Sequence, residues 1–365
     1  MHRLIDARGR PWLVWLGFAI VGLALAALPF ALAQVGTTWV RITNYALLYV
    51  LLALGLNIVV GFAGLLDLGY IAFYAVGAYA YALLASPHFG LHLPFWVILP
   101  VGAAIAALFG ILLGAPTLKL RGDYLAIVTL GFGEIIRIFL NNLSRPVNIT
   151  NGPQGISRID PFRLDGFSFG TYETFLGLTF SAPIKYYYLL LLVALVIIAV
   201  NVRLQDSRIG RAWEAIREDE VAARSMGINT RNMKLLAFAM GASFGGIAGG
   251  MFSAIQGFIS PESFILVESI MVVSMVVLGG MGNIWGVILG ALLLSFVPEI
   301  LRWTVEPAQR ALFGRMVVEP EVIRMLLFGL ALVLVMLFRP AGLLPSAVRK
   351  RELAERTGVP VGRAP

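Results

Sequence analysis

Long apolar runs separated by brief polar breaks occupy the chain from residue 11 to residue 338. The runs are 11–33, 44–66, 68–86, 95–114, 124–142, 186–202, 235–258, 261–278, 285–303 and 322–338. A hydrocarbon core about 30 Å thick takes about 20 helical residues, which is the length of most of them. The runs are continuous rather than alternating, so they predict helices and exclude a membrane-spanning β-barrel. The pattern therefore predicts an all-α, polytopic transmembrane bundle of about 10 helices. It divides into an N-terminal segment 1–10, a membrane domain 11–340 and a basic tail 341–365.

Two longer polar stretches interrupt the bundle. The first, 143–185, contains Asn151-Gly152-Pro153-Gln154-Gly155-Ile156, a turn-rich sequence that reads as a loop, a lid or a partner's seat. The second, 203–234, holds seven Lys or Arg and five Asp or Glu, yet Ile209, Ala212, Trp213 and Ile216 recur in it at helical spacing. A short helix is expected after Ser207 and another after Asp219, both residues able to cap free N–H groups. Gly227 is placed to end the second as a left-handed terminator, and Asn229 or Thr230 to cap the next apolar helix. The apolar ridge of these two helices must be covered. It rests either on the chain's own helix ends and lipid headgroups, or on a soluble partner with Trp213 and Ile216 as anchors.

Composition narrows the class further. Of 365 residues, 59% are hydrophobic and 13% charged, with a mean hydropathy of +0.86. The net charge of +8 comes with Lys and Arg concentrated in alternate loops, so it reports topology rather than nucleic-acid binding. An N-terminus on the cytoplasmic side puts about twice as many Lys and Arg inside as outside. Both termini, 115–123 and 203–234 are then cytoplasmic, and 143–185 faces outward. The absence of cysteine removes disulfides and thiol chemistry, and His2, His88 and His92 are too scattered to suggest a metal centre. No G-x-x-x-x-G-K-[ST] run is present, so any ATP would be bound, with Mg²⁺, by another subunit.

Inside the membrane, polar residues are few. Glu134 and Arg137 lie three apart in the fifth run, hence on one helical face. Either they pair with each other or they face a polar cavity, because an unpaired charge there costs roughly 2.5–3.5 kcal/mol. Glu268 is expected about two turns into a helix that Ser260 caps and Pro261 starts, making it a pathway candidate. Asp67, between the second and third runs, is expected to cap the third, with substrate contact as its alternative. Gly241, Gly245 and Gly249 form a small-residue stripe for close packing or for a sliding interface. Gly279-Gly280-Met281-Gly282 predicts a tight turn into the ninth run.

Several stretches together resemble one family. LKLRGDYLAIVTLGFGEIIRI (118–138), NGPQGI (151–156), GRAWEAIREDEVAARSMGIN (210–229), LGGMGNIWGVILGA (278–291) and GFAGLLDLGYIAFYAVGAY (61–79) are similar to the branched-chain amino-acid ABC permeases of the LivM type. Gly210-Arg211-Ala212, Glu220, Ala222, Ala223 and Gly227 resemble the EAA coupling loop of ABC importers. The triplet's usual acid would stand at Val221 and here falls one residue earlier.

The resemblance implies an ABC importer permease fold in a bacterial inner membrane. It also implies a LivH-type companion permease, two cytoplasmic ATPase subunits and a periplasmic substrate-binding protein. The substrate class would be Leu, Ile and Val, with other neutral amino acids or urea as the alternatives. Coupling would run through Gly210, Arg211, Trp213, Ile216, Glu220, Ala222, Ala223 and Gly227. A self-sufficient secondary transporter or channel would need more intramembrane acids than the chain has, and an intramembrane enzyme would need a catalytic constellation that it lacks.

Overall fold

The computed structural model describes residues 11–117, 120, 122–164, 167–175, 178–313 and a discontinuous subset of 322–344. Residues 1–10 and all but 342–344 of the basic tail 341–365 lie outside the described residues. Up to residue 313, eleven α-helices follow one another among the described residues: α1 Pro11–Val35, α2 Thr37–Leu56, α3 Ile71–Leu84, α4 Phe95–Thr117, α5 Asp123–Asn142, α6 Ala182–Gln205, α7 Arg208–Glu218, α8 Glu220–Ser225, α9 Thr230–Gln256, α10 Leu266–Gly279 and α11 Ile284–Phe313. The last turns of α2 continue as a π-helical segment, Asn57–Phe62. Described residues between 322 and 338 are helical as well.

Six segments among the described residues are long and apolar enough to cross a membrane: Thr37–Phe62, Phe95–Thr117, Ala182–Gln205, Thr230–Gln256, Pro261–Gly279 and Ile284–Thr304. That establishes a multi-pass helical membrane protein, with fewer such segments than the apolar runs suggested. The third run is shorter than its hydropathy implies, because the chain is non-helical through 63–70 and α3 has only 14 residues. The eighth breaks at 264–265, which leaves α10 with 14 residues too.

The bundle is built around α9, which packs on α2, α3 and α4. Its glycines allow this, on two faces. A Cβ on Gly249 would sit 2.1 Å from Tyr74 O, and one on Gly241 2.6 Å from Val59 Cγ2. One step round, Gly246 meets α4, where a Cβ would sit 2.6 Å from Ala106 Cβ. The stripe at Gly241, Gly245 and Gly249 is thus filled by α2 and α3 of the same chain. Buried polar atoms are tied across the bundle. Tyr70 Oη donates to Gly241 O at 2.8 Å, Ser253 Oγ to Ala78 O at 2.8 Å, and Gly282 N to Asn57 Oδ1 at 2.9 Å. The turn at Gly279–Gly282 is as expected, with Gly280 at φ 117° and Gly282 at φ 82°.

The polar segment 143–185 is more ordered than a plain loop. Its strands pair antiparallel: β1 Ile156–Ser157 with β6 Phe258–Ile259, β2 Arg163–Leu164 with β3 Phe167–Ser168, and β4 Glu173–Phe175 with β5 Leu178–Phe180. Gly155 makes the first pairing possible: its φ is +69° and a Cβ would lie 2.1 Å from Ile259 O. Phe162 then packs edge-on between Phe95 and Phe169, with centroids at 4.3 and 4.5 Å.

Candidate functional site

Two regions carry the residues singled out by the sequence. The first is 203–234, at one end of the bundle. Ser207 Oγ accepts from the N–H groups of Ile209 and Gly210 at 3.2 Å, and Asp219 Oδ1 from those of Val221 and Ala222 at 2.7 and 3.0 Å. α7 and α8 therefore start where their caps predict. Gly227, at φ +85°, closes α8: its N–H donates to Arg224 O and that of Ile228 to Ala223 O. Asn229, rather than Thr230, caps α9 by accepting from Asn232 N at 3.1 Å.

Trp213 and Ile216 do not present themselves as anchors for a partner. Trp213 is fully buried and its Nε1 donates to Met233 O at 2.7 Å, locking α7 onto the first turn of α9. Ile216 and Ala223 are buried on the same side. Period 3.6 showed that these residues share a face, but not what that face meets. Gly210 is buried against the end of α6, where a Cβ would fall 2.3 Å from Leu204 O. Arg211 Nη1 donates to Asp206 O at 2.9 Å, and Arg217 Nη1 donates to Gly61 O in the π-helical segment. Glu220 pairs with Lys234 at 2.8 Å and with Arg224 at 3.3 Å, so α8 is also bolted to α9. Lys234 is 5% exposed, which makes that pair a buried one on the lysine side.

What remains on the surface is Arg208, Arg211, Glu214 and Glu218 of α7 and the outer side of α8. Ala222 and Gly227 are exposed there, together with Val221 at 64% and Met226 at 84%. Sequence reasoning passed over Val221 and Met226. Val221 drew notice only as the residue where an acid was expected, and an exposed apolar pair on a charged loop was the available signal.

The second region lies where α3, α5 and α10 meet. Glu134 and Arg137 do pair: Arg137 Nε donates to both Glu134 carboxylate oxygens at 3.1 Å. Arg137 Nη1 also donates to Glu262 Oε1 at 3.3 Å, a third member that the spacing along α5 could not reveal. Ser260 makes no side-chain cap, and 261–263 is a single 3₁₀ turn. Glu268 therefore lies in the first turn of α10 rather than two turns into a helix, and its Oε2 accepts from Tyr49 Oη at 2.8 Å. Asp67 does not cap α3. Its Oδ1 accepts from Gly69 N at 2.9 Å, while the first N–H groups of α3 go to the Gly69 and Tyr70 carbonyls. It is fully buried, beside a loop pinned by Leu68 N donating to Thr129 Oγ1 at 3.0 Å and Ser269 Oγ donating to Leu68 O at 2.6 Å.

α3 and α10 have 14 helical residues each, about 21 Å, and the chain before them is non-helical at 63–70 and 264–265, so each helix begins inside its apolar run. Their N-terminal residues Ile71 and Leu266 border one cavity of about 130 Å³, lined further by Leu68, Leu130, Gly133, Glu134 and Phe264. Two helix N-termini, an apolar wall and one carboxylate, whose side chain is 41% exposed, thus converge on one side of the bundle.

The family described as branched-chain amino acid transport system / permease component matches residues 38–336. The chain is 47% identical over 342 residues to the high-affinity branched-chain amino acid transport system permease protein LivM of Escherichia coli K12, covering 90% of this chain and 74% of that one. It is 29% identical over 281 residues to a probable branched-chain amino acid transport permease protein LivM of Methanocaldococcus jannaschii, covering 74% of each. It is 24% identical over 259 residues to the permease protein LivH of Escherichia coli K12, covering 69% of this chain and 81% of that one. No solved structure matches the chain.

Proposed function

Since this chain belongs to the family of branched-chain amino acid transport system permease components, we propose that it is the LivM-type subunit of an ATP-driven importer for leucine, isoleucine and valine. The observation that carries the reading is an identity running through nearly the whole chain rather than through one motif. A LivH-type companion, itself a relative of this chain, would supply the other half of the path. Two homologous halves facing each other across a pseudo-twofold axis fit that relation. The chain performs no covalent chemistry. Lacking a phosphate-binding loop in its sequence, it relies on two separate cytoplasmic ATPase subunits that bind ATP and Mg²⁺, and on a periplasmic binding protein that delivers substrate.

The proposed setting is a bacterial inner membrane crossed by about ten spans, and the Lys and Arg distribution supports cytoplasmic termini. In that orientation 203–234 is the EAA-like coupling loop. Val221, Ala222 and Met226, with Gly227 at their edge, offer an exposed face of α8 to an ATPase subunit. Trp213, Ile216, Ala223, Gly210 and the Glu220–Lys234 pair act behind that face, as the rigid connection into α9 and the end of α6, while the exposed Arg211 holds Asp206 O beside it. A packed interface of this kind moves as a body rather than yielding, so a push on α8 reaches the membrane helices. Glu134, Arg137, Glu268 and Asp67 mark the path, since charged and polar groups at membrane depth belong against a cavity or a partner rather than lipid.

The test is uptake by the assembled complex in proteoliposomes. Leucine uptake should require ATP and binding protein, and should be competed by isoleucine and valine but not by urea. Uptake by this chain alone, without nucleotide, would overturn the reading.

A further inference from the structure

We propose that the cavity between the N-termini of α3 and α10 seats the substrate's aliphatic side chain, with Glu134 and Arg137 receiving its α-ammonium and α-carboxylate. This rests on the permease reading above and adds to it a place and a basis for specificity.

At about 130 Å³ the cavity is several times the roughly 10–15 Å³ that one water requires, which leaves room for a branched four-carbon side chain. Leu68, Ile71, Leu130, Phe264 and Leu266 supply an apolar wall, and Glu134 is the single charged residue on it. A hydroxyl or amide carried into that space would lose its water without replacement, so the cavity selects hydrocarbon.

Arg137 already holds a carboxylate through Nε, and Glu134 already holds a cation. A zwitterion entering between them exchanges one ion pair for two of the same kind, and no charge is left unpaired at membrane depth. Glu262, 3.3 Å from Arg137 Nη1, holds the guanidinium in place while Glu134 turns to the ammonium. The N-termini of α3 and α10, neither closed by a side-chain cap, border the cavity at Ile71 and Leu266. Glu134 belongs to both halves: it lines the cavity and bonds Arg137, which places the polar and apolar subsites next to each other.

The experiment uses the complete transporter in proteoliposomes, with competition of labelled leucine uptake by leucine, valine and alanine. Leu130→Phe and Leu266→Phe each push a ring into the cavity from a half-buried position, and Leu130→Ala enlarges it. Filling should lower the preference for leucine over alanine by about tenfold, the scale of one or two methylene groups in a pocket. Enlarging should shift the ranking the other way. Co-purification of the ATPase subunits checks that each variant is assembled. An unchanged ranking in all three variants, or an equal loss for every substrate in an assembled complex, overturns the assignment. A wild-type complex that takes up no branched-chain amino acid would instead defeat the permease reading itself.

Discussion

The two sides of the 203–234 loop can be separated by mutation. Val221 and Met226 are 64% and 84% exposed, so replacing both by Asp removes almost no packing in the folded chain. Such surface changes stay within about 0.5 kcal/mol each. If those residues are the contact with the ATPase, the same change buries two unpaired carboxylates in the interface. Losing a central contact costs about 2 kcal/mol or more there, roughly thirtyfold in affinity. Trp213→Ala has the opposite signature. That side chain is fully buried and its N–H is committed to Met233 O at 2.7 Å, so truncation costs about 3–5 kcal/mol of stability. Trp213→Phe keeps most of the packing and loses the hydrogen bond, for about 1 kcal/mol.

The assay pairs pull-down of the ATPase subunits on the tagged permease with the thermal midpoint of the purified protein. Val221→Asp with Met226→Asp should keep the wild-type midpoint and lose the ATPase. Trp213→Ala should lower the midpoint, and Trp213→Phe should lower it less. Recovery of the ATPase at wild-type yield with the double Asp variant would show that the contact face lies elsewhere. An unchanged midpoint in Trp213→Ala would refute the role of that tryptophan as the lock on α9.

The glycines of α9 should rank by what a methyl group meets. Gly249→Ala presses on Tyr74 O at 2.1 Å and should destabilise most, Gly241→Ala on a movable Val59 methyl at 2.6 Å less, and Gly245→Ala on Phe73 Cβ at 3.2 Å least; thermal midpoints in detergent check the order. Glu220→Gln should cost several kcal/mol, because it strips the carboxylate from a lysine that is 5% exposed, and adding Lys234→Met should recover much of that loss. A double-mutant cycle on the same midpoints tests this, and additive effects would argue against the pair.

Much of this protein was legible from residue order because the bilayer simplifies the problem. With no water in the hydrocarbon, every backbone group must be satisfied within its own helix, so apolar length alone announces helices. Local capping was legible for the same kind of reason: Ser207, Asp219, Gly227 and Asn229 act on neighbours within a turn, and each does what its side chain or φ allows. Asp67 and Ser260 failed that test because carbonyls and a 3₁₀ turn supplied the partners instead.

What only the tertiary structure decided were the relations between distant elements. Hydropathy cannot tell a continuous helix from a broken one, so it joined 261–278 into one rod and hid the breaks before α3 and α10. Periodicity showed that Trp213 and Ile216 share a face, but their burial depends on where α9 begins relative to α7. The third member of the Glu134–Arg137 cluster is far off in the chain at Glu262, and the cavity beside it lies where two short helices begin. One-dimensional pattern records what each segment can bury or pair locally; which segments meet is settled by packing all of them at once.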